Sequence, residues 1–319
     1  MLILSNIMIA LTKDLLKIDA EETTGIICDF IKEKHAELGR DAIVVPISGG
    51  LDSSVVAALC VRAVGKDKVV GLMLPERQGN PEAGRFAKQL AAALGIQTRK
   101  ISITNALFAL GTYGFVLSFF PTKKLRDSVA LKYMKSSGEN MLLDSIRGSK
   151  SRLNRAATAS INSKQRMRAL VMCKFADENN YLTVGSAHLT EDMVGLFVKF
   201  GIDDVADLMP MKGLFRMQIL QIAEYLGVPE SITGRTPNPD VIPGVHDKYL
   251  GMLGLPADTV DLVLCGILHG LTNQEIAEQL FIDRKKVEEV RELVRLSDHM
   301  RHPSQAPELV NPAVPPAMA

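Results

Sequence analysis

Tryptophan is missing from this 319-residue chain, aromatics make up only 5%, and neither sign of charge dominates, with 37 Lys and Arg against 36 Asp and Glu. A formal net charge of +1 gives no global field to draw the molecule onto nucleic acid. Cysteine is scarce too. Cys28, Cys60, Cys173 and Cys265 are scattered without CxxC or Cys/His ligand spacing, so neither a zinc site nor a disulfide framework is indicated, and a reducing cytoplasm is the expected compartment. Long apolar runs are also lacking. The first twelve residues, MLILSNIMIALT, carry no basic leading region and are too short to span a bilayer; ALFALGTYGFVLSFF at 106–120 holds two glycines and falls short as well. Both runs are expected to be packed segments or subunit contacts, with no membrane role.

With 47% apolar residues the chain can bury a substantial core. Its periodicity alternates between elements: a helix over 14–38, a strand over 42–47, a helix over 52–65, a strand over 69–74, a helix over 81–94 and a short strand near 99–103. The rhythm resumes with a helix at about 163–178, a strand at 181–186, a short helix, and ADLMP at 206–210. Strands separated by helices imply an α/β fold with a doubly wound parallel sheet, whose ligands sit at the carboxyl ends of the strands. The stretch between, about 121–168, holds twelve Lys or Arg against three acids from Lys123 to Arg168 and suits a mobile loop better than a packed element, either a solvated charged excursion or a lid that neutralises phosphates. The Pro- and Ala-rich end, 310–319, is expected to be disordered.

The most informative stretch is AIVVPISGGLDSSVVAALCVRAVG, residues 42–65. Gly49 and Gly50 let the chain turn tightly after a strand, so that amides of Ser48 to Ser53 converge at a helix N-terminus, a volume that favours phosphate. The turn is neither a Walker A loop, since GK[ST] is missing, nor GxGxxG. Asp52 stands out within it. A carboxylate among amides meant for an anion makes sense if a divalent cation with oxygen ligands, such as Mg²⁺, lies between it and the phosphates. Offsetting the helix dipole would explain Asp52 alone, without the preceding Ser-Gly-Gly.

SGGLDS at the end of a first strand resembles the pyrophosphate loop of the ATP pyrophosphatase superfamily, and later segments are similar to those of the NAD synthetase family within it. VGSAHLTEDMVGLFVKFG at 184–201, ADLMPMKGLFRMQILQIAEYLGVPESI, NSKQRMR, RTPNPD at 235–240 and SDHMRHP occur in the family's order across residues 20–305. The resemblance implies an adenine nucleotide alpha-hydrolase-like, Rossmann-like domain over 1–309 with a basic insertion at about 121–162 and a helical C-terminal part at about 255–302. It implies ATP contacts from Pro46, Ile47, Ser48, Gly49, Gly50, Leu51, Asp52, Ser53, Ser186, Arg216 and Asn238. Ser48, Asp52 and Glu191 would serve catalysis, with Asp52 and Glu191 holding Mg²⁺. Arg166, Lys199, Asp207, His299 and Met300 fall at positions that bind the dinucleotide substrate.

The implied activity is an amide ligase that adenylates the carboxylate of deamido-NAD with ATP and transfers ammonia to it, in a homodimer. Free ammonia is the expected donor, with a separate amidotransferase subunit as the other source. Departures cluster on the substrate side: FGIDDVAD has one extra residue and no glycine pair, and Met300 replaces a lysine. Another carboxylate substrate, or a non-catalytic nucleotide-binding role, therefore stands beside the main reading. GLTNQEIAEQLFIDRKKVEEV at 270–290 has a helix-turn-helix pattern but no basic recognition face, and the family carries a similar helical pair. His35, His246, His269 and His302 share no ligand spacing, whereas His188 stands beside Glu191 and is expected either to orient a phosphate or to pack under the strand end.

Overall fold

The computed structural model describes residues 9–114, 123–137, 140–238, 244–302 and 304. The expected disordered end at 310–319, residues 1–8 of the first apolar run and 115–120 of the second lie outside the described residues. Four strands, β1 (Ala42–Pro46), β2 (Val69–Met73), β3 (Gln97–Lys100) and β4 (Tyr181–Thr183), form one sheet in the order β3-β2-β1-β4. Every pairing is parallel. The expected strand at 206–210 is reduced to one bridge between Leu208 and Val184, because Pro210 has no N–H to extend the ladder.

The helices are α1 (Ala20–Glu37), α2 (Leu51–Val64), α3 (Ala83–Leu94), α4 (Thr104–Ala109), α5 (Lys123–Ser137), α6 (Met141–Arg147), α7 (Arg152–Asn179), α8 (Leu189–Val194), α9 (Arg216–Tyr225), α10 (Glu230–Thr233), α11 (Lys248–Leu253), α12 (Ala257–Leu268), α13 (Asn273–Leu280), α14 (Arg284–Leu296) and α15 (Asp298–Arg301). Side-chain alternation along the strands splits the core between two faces. Ile43, Val45 and Val69 pack under Ile31 of α1, Leu59 of α2, Leu90 of α3 and Ile219 of α9. Val44 and Leu72 face the other way, against Leu107 of α4 and Met172 of α7. Because β1 and β2 are covered on both faces, they read as unbroken apolar runs.

A third core joins α6, α8 and the C-terminal helices through Leu143, Val194, Tyr249, Val263, Ile276 and Leu293. Leu11 and Leu16 enter it, so the described part of the N-terminal segment is packed.

The basic stretch at 121–168 differs from a mobile loop. Its described residues form α5, α6 and the first half of the 28-residue α7. Asn140 caps α6 by accepting from the amides of Leu142 and Leu143, and Ser151 caps α7 by accepting from the amide of Asn154. Lysine and arginine are good helix formers, so a high basic content marks an exposed helix face as readily as a loop.

In the α13–α14 pair the basic side chains are engaged locally: Arg284 with Glu288, Lys286 with Glu289, Arg295 with Glu292, and Arg291 with Asn273 and the Leu271 carbonyl. Among the described residues no helix is long and apolar enough to cross a membrane.

Candidate functional site

The turn after β1 is built around a left-handed residue. Gly49 has φ +74°, and a Cβ there would sit 2.5 Å from Phe86 Cβ and 2.9 Å from the Ala83 carbonyl oxygen, so only glycine fits. Arg235 holds this turn from outside. Its guanidinium donates to the Gly49 carbonyl at 2.6 Å and lies 4.0 Å from the Phe86 ring centroid. Within the turn the Ser48 amide donates to Ser53 Oγ at 3.3 Å, and Ser54 Oγ donates to the Gly50 carbonyl at 2.7 Å. Gly50 is the N-cap of α2 and offers no side chain to its first turn, which leaves the amides of Leu51, Asp52 and Ser53 directed at the cleft as an anion site.

Strand order explains why two distant acids meet. β1 and β4 are neighbours, so the first turns of α2 and α8, which follow them, stand side by side. Asp52 and Glu191 occupy those turns, and with His188 they place ligand atoms all within 4.8 Å of one another. His188 Nε2 lies 3.5 Å from Glu191 Oε2 and 3.9 Å from Asp52 Oδ1. Burial lowers the His188 pKa against the pull of the two carboxylates, so the ring is neutral at pH 7, and neither ring nitrogen has a hydrogen-bond partner.

Two cations complete the cluster. Arg216, the first residue of α9, donates to Asp52 Oδ1 at 3.1 Å. Lys248, the first residue of α11, places its Nζ 3.5 Å from Asp52 Oδ2 and in contact with Glu191 Oε1. Burial alone would push the Asp52 carboxyl up, yet the Lys248 and Arg216 charges hold it well below the usual carboxylate range. For Lys248 burial acts to lower the pKa, and the Glu191 and Asp52 carboxylates outweigh it, so the group stays charged. Asp203 stands nearby; burial and the Glu191 charge push it up to about 6. The donor set fits a divalent cation: two facing carboxylates supply hard oxygen ligands, and a positive group already rests between them.

Asp52, Glu191, Asp203, Arg216 and Lys248 line one cavity of about 1160 Å³, with the fully buried His188 behind its wall, and this is somewhat larger than the roughly 300–1,000 Å³ of most single-ligand sites. Its wall includes all of 46–53 except Gly49, together with Ser186, Glu191, Arg216, Asn238, Arg166, Lys199, His299 and Met300. Lys199 Nζ donates to the His299 carbonyl at 2.7 Å, and Arg166 Nε donates to the Lys199 carbonyl at 3.2 Å, tying the substrate-side residues into one rim. Asp207 is not in this wall. Its Oδ2 accepts from the Thr183 amide at 2.9 Å and the Thr183 hydroxyl at 2.7 Å, which anchors the bridge beside β4.

Lys248, Arg235, Asp203 and Arg168 also line the cavity, and the sequence reading passed over all four as site residues. Arg168 belongs to the NSKQRMR segment, Arg235 opens RTPNPD and Asp203 lies in FGIDDVAD, so these three were within reach of the sequence; Lys248 carries no signal in spacing.

Residues 24–116 and 121–304 match the family described as NAD synthase. The NH(3)-dependent NAD(+) synthetase of Thermotoga maritima is 34% identical over 277 residues, covering 85% of this chain and 94% of that protein. The enzyme of the same name from Methanocaldococcus jannaschii is 32% identical over 289 residues, covering 91% and 97%. Among solved structures, an NMN synthetase from Francisella tularensis superposes with a TM-score of 0.68 at 21% identity, covering 92% of this chain and 100% of that one. An NH3-dependent NAD synthetase from Campylobacter jejuni superposes with a TM-score of 0.61, also at 21% identity and covering 92% and 100%. At that identity the two superpositions speak to the fold.

Proposed function

The chain belongs to the NAD synthase family, and on that premise we propose that it is a ligase converting deamido-NAD to NAD with ATP and ammonia, releasing AMP and pyrophosphate. The observation that carries this reading is the meeting of Asp52 and Glu191 beside the Ser48–Ser53 turn at the carboxyl ends of neighbouring strands. A carboxylate oxygen of the substrate attacks the α-phosphorus of ATP, the bond to the β-phosphate breaks, and pyrophosphate departs. Ammonia nitrogen then attacks the acyl carbon, the bond to AMP breaks, and a proton is released.

The residues support each demand of this sequence. Amides at the start of α2 face where negative charge grows on the leaving pyrophosphate, and Arg216 adds a fixed charge beside them. Arg166 and Lys199 on the opposite rim are suited to the phosphates of the dinucleotide. Asp52 and Glu191 would hold Mg²⁺. A bound Mg²⁺ supplies charge neutralisation on the phosphate oxygens.

Homodimer assembly and a cytoplasmic setting belong to the same reading; apolar side chains exposed on α1 and α7, Ile26 at 64% and Leu170 at 62%, are candidates for a subunit contact. Met300 in the cavity wall, where the family places a lysine, favours a second reading with another carboxylate.

Pyrophosphate release from ATP, measured with and without deamido-NAD and ammonium, tests both. Release that requires deamido-NAD, with NAD as product, is expected. Release with a different carboxylate alone moves the assignment to the second reading, and absence of release with any carboxylate overturns the ligase.

A further inference from the structure

The cluster around Asp52 is balanced in charge by the protein itself. Two carboxylates, Asp52 and Glu191, are met by two cations, Arg216 and Lys248, and beside them Asp203 shares the cavity wall with Arg168. The two cations differ in kind. Arg216 is buried at 4% exposure, touches only one of the acids, and has its backbone amide fixed by Thr190 Oγ1 at 2.9 Å. Lys248 instead bridges both acids with a single nitrogen, the contact pattern a metal ion would make.

Lys248 opens the six-residue α11, with its own amide donating to the Pro237 carbonyl at 2.8 Å, so one hydrogen bond links it across the 239–243 stretch to the Arg235 region that holds the Gly49 carbonyl.

Bringing a divalent cation into this balanced pocket adds two positive charges with no new anion to meet them. Bringing it with a triphosphate is different, since the nucleotide carries more negative charge than the metal carries positive. It also offers the displaced ammonium a new partner in the same cavity. Resting on the ligase reading above, we propose that Lys248 is the tethered counter-cation of the metal site: it blocks Mg²⁺ in the empty protein and yields the position when metal and nucleotide arrive together. Lys248 is in this sense a positioning residue, and it makes metal binding conditional on nucleotide.

Metal affinity, independent of turnover, tests the idea. Mn²⁺ binding is followed by electron paramagnetic resonance of the free ion, in the wild type and in K248M and K248R, without nucleotide and with a non-hydrolysable ATP analogue. Without nucleotide, K248M is expected to bind Mn²⁺ at least roughly tenfold more tightly than the wild type, because Glu191 loses its cation and Arg216 alone remains to balance the two facing carboxylates. K248R, which keeps the charge, should stay near the wild type. With the analogue bound, the advantage of K248M should disappear.

Mg²⁺ should also raise the melting temperature of K248M more than that of the wild type, a second readout that reports whether K248M is folded. Equal Mn²⁺ affinity of wild type and folded K248M without nucleotide overturns the inference while leaving the ligase reading intact. Absence of Mn²⁺ binding by the wild type even with the analogue overturns the metal site on which both rest.

Discussion

At the scale of single residues, the site depends on groups held in charged states that burial alone would disfavour. Asp52 stays ionised in a buried position because Lys248 and Arg216 touch it. Asp52→Ala removes that anion and the proposed oxygen ligand together, so pyrophosphate release is expected to fall by at least about a hundredfold with the helical circular dichroism unchanged. Turnover near the wild-type rate would remove Asp52 from the mechanism.

Asp261 shows the opposite behaviour. Fully buried, it accepts from Thr190 Oγ1 at 2.6 Å and from the Met217 amide at 2.8 Å, and burial still pushes its pKa up from 3.8 to about 6. Between these two values the folded chain binds more protons than the unfolded one, so this group's contribution to stability declines as pH rises through that window. The decline is on the order of 2–3 kcal/mol. In Asp261→Asn the pH dependence of the urea midpoint between pH 4 and 6 should flatten, and an unchanged slope would show that Asp261 does not titrate there.

Among the elements, the β1–α2 turn is the one most constrained by geometry. Gly49→Ala puts a methyl group into the backbone of α3 at a left-handed φ, which forces the turn or α3 to shift. Nucleotide affinity measured by calorimetry should drop at least roughly tenfold, with a loss of stability of about 1–3 kcal/mol. Affinity and stability both unchanged would mean that the turn tolerates the methyl group.

This turn was legible in the sequence because an apolar strand, two glycines and a small-residue helix each have one simple conformational reading. Glu191 was legible only through the family's order of segments, since no local spacing links it to Asp52. Lys248 was illegible for a different reason: it opens the six-residue α11, too short a helix for periodicity to say which way a side chain faces. The helices α5 and α6 and the start of α7 are hidden by their basic content, although Asn140 and Ser151 mark the starts of α6 and α7 as caps.

For the whole molecule, two cores sandwich the sheet and a third joins the C-terminal helices, and the cavity opens where these bodies meet. The sheet's architecture was readable from alternating periodicity. Its limit at Leu208 was readable too, in Pro210, which has no N–H to carry the ladder further.

That strand order carries one more consequence, for how the protein acquires its site. β1, β2 and β3 are sequence neighbours, while β4 joins β1 only after the chain from Lys100 to Tyr181 has been threaded through α4 to α7. Closing so large a loop is entropically slower than pairing adjacent strands. In refolding experiments, recovery of nucleotide binding should therefore lag behind recovery of helical signal, and simultaneous recovery would refute the order. Newly synthesised chains would pass through an interval in which the phosphate turn exists but its second carboxylate has not yet arrived, unable to start a reaction they could not finish.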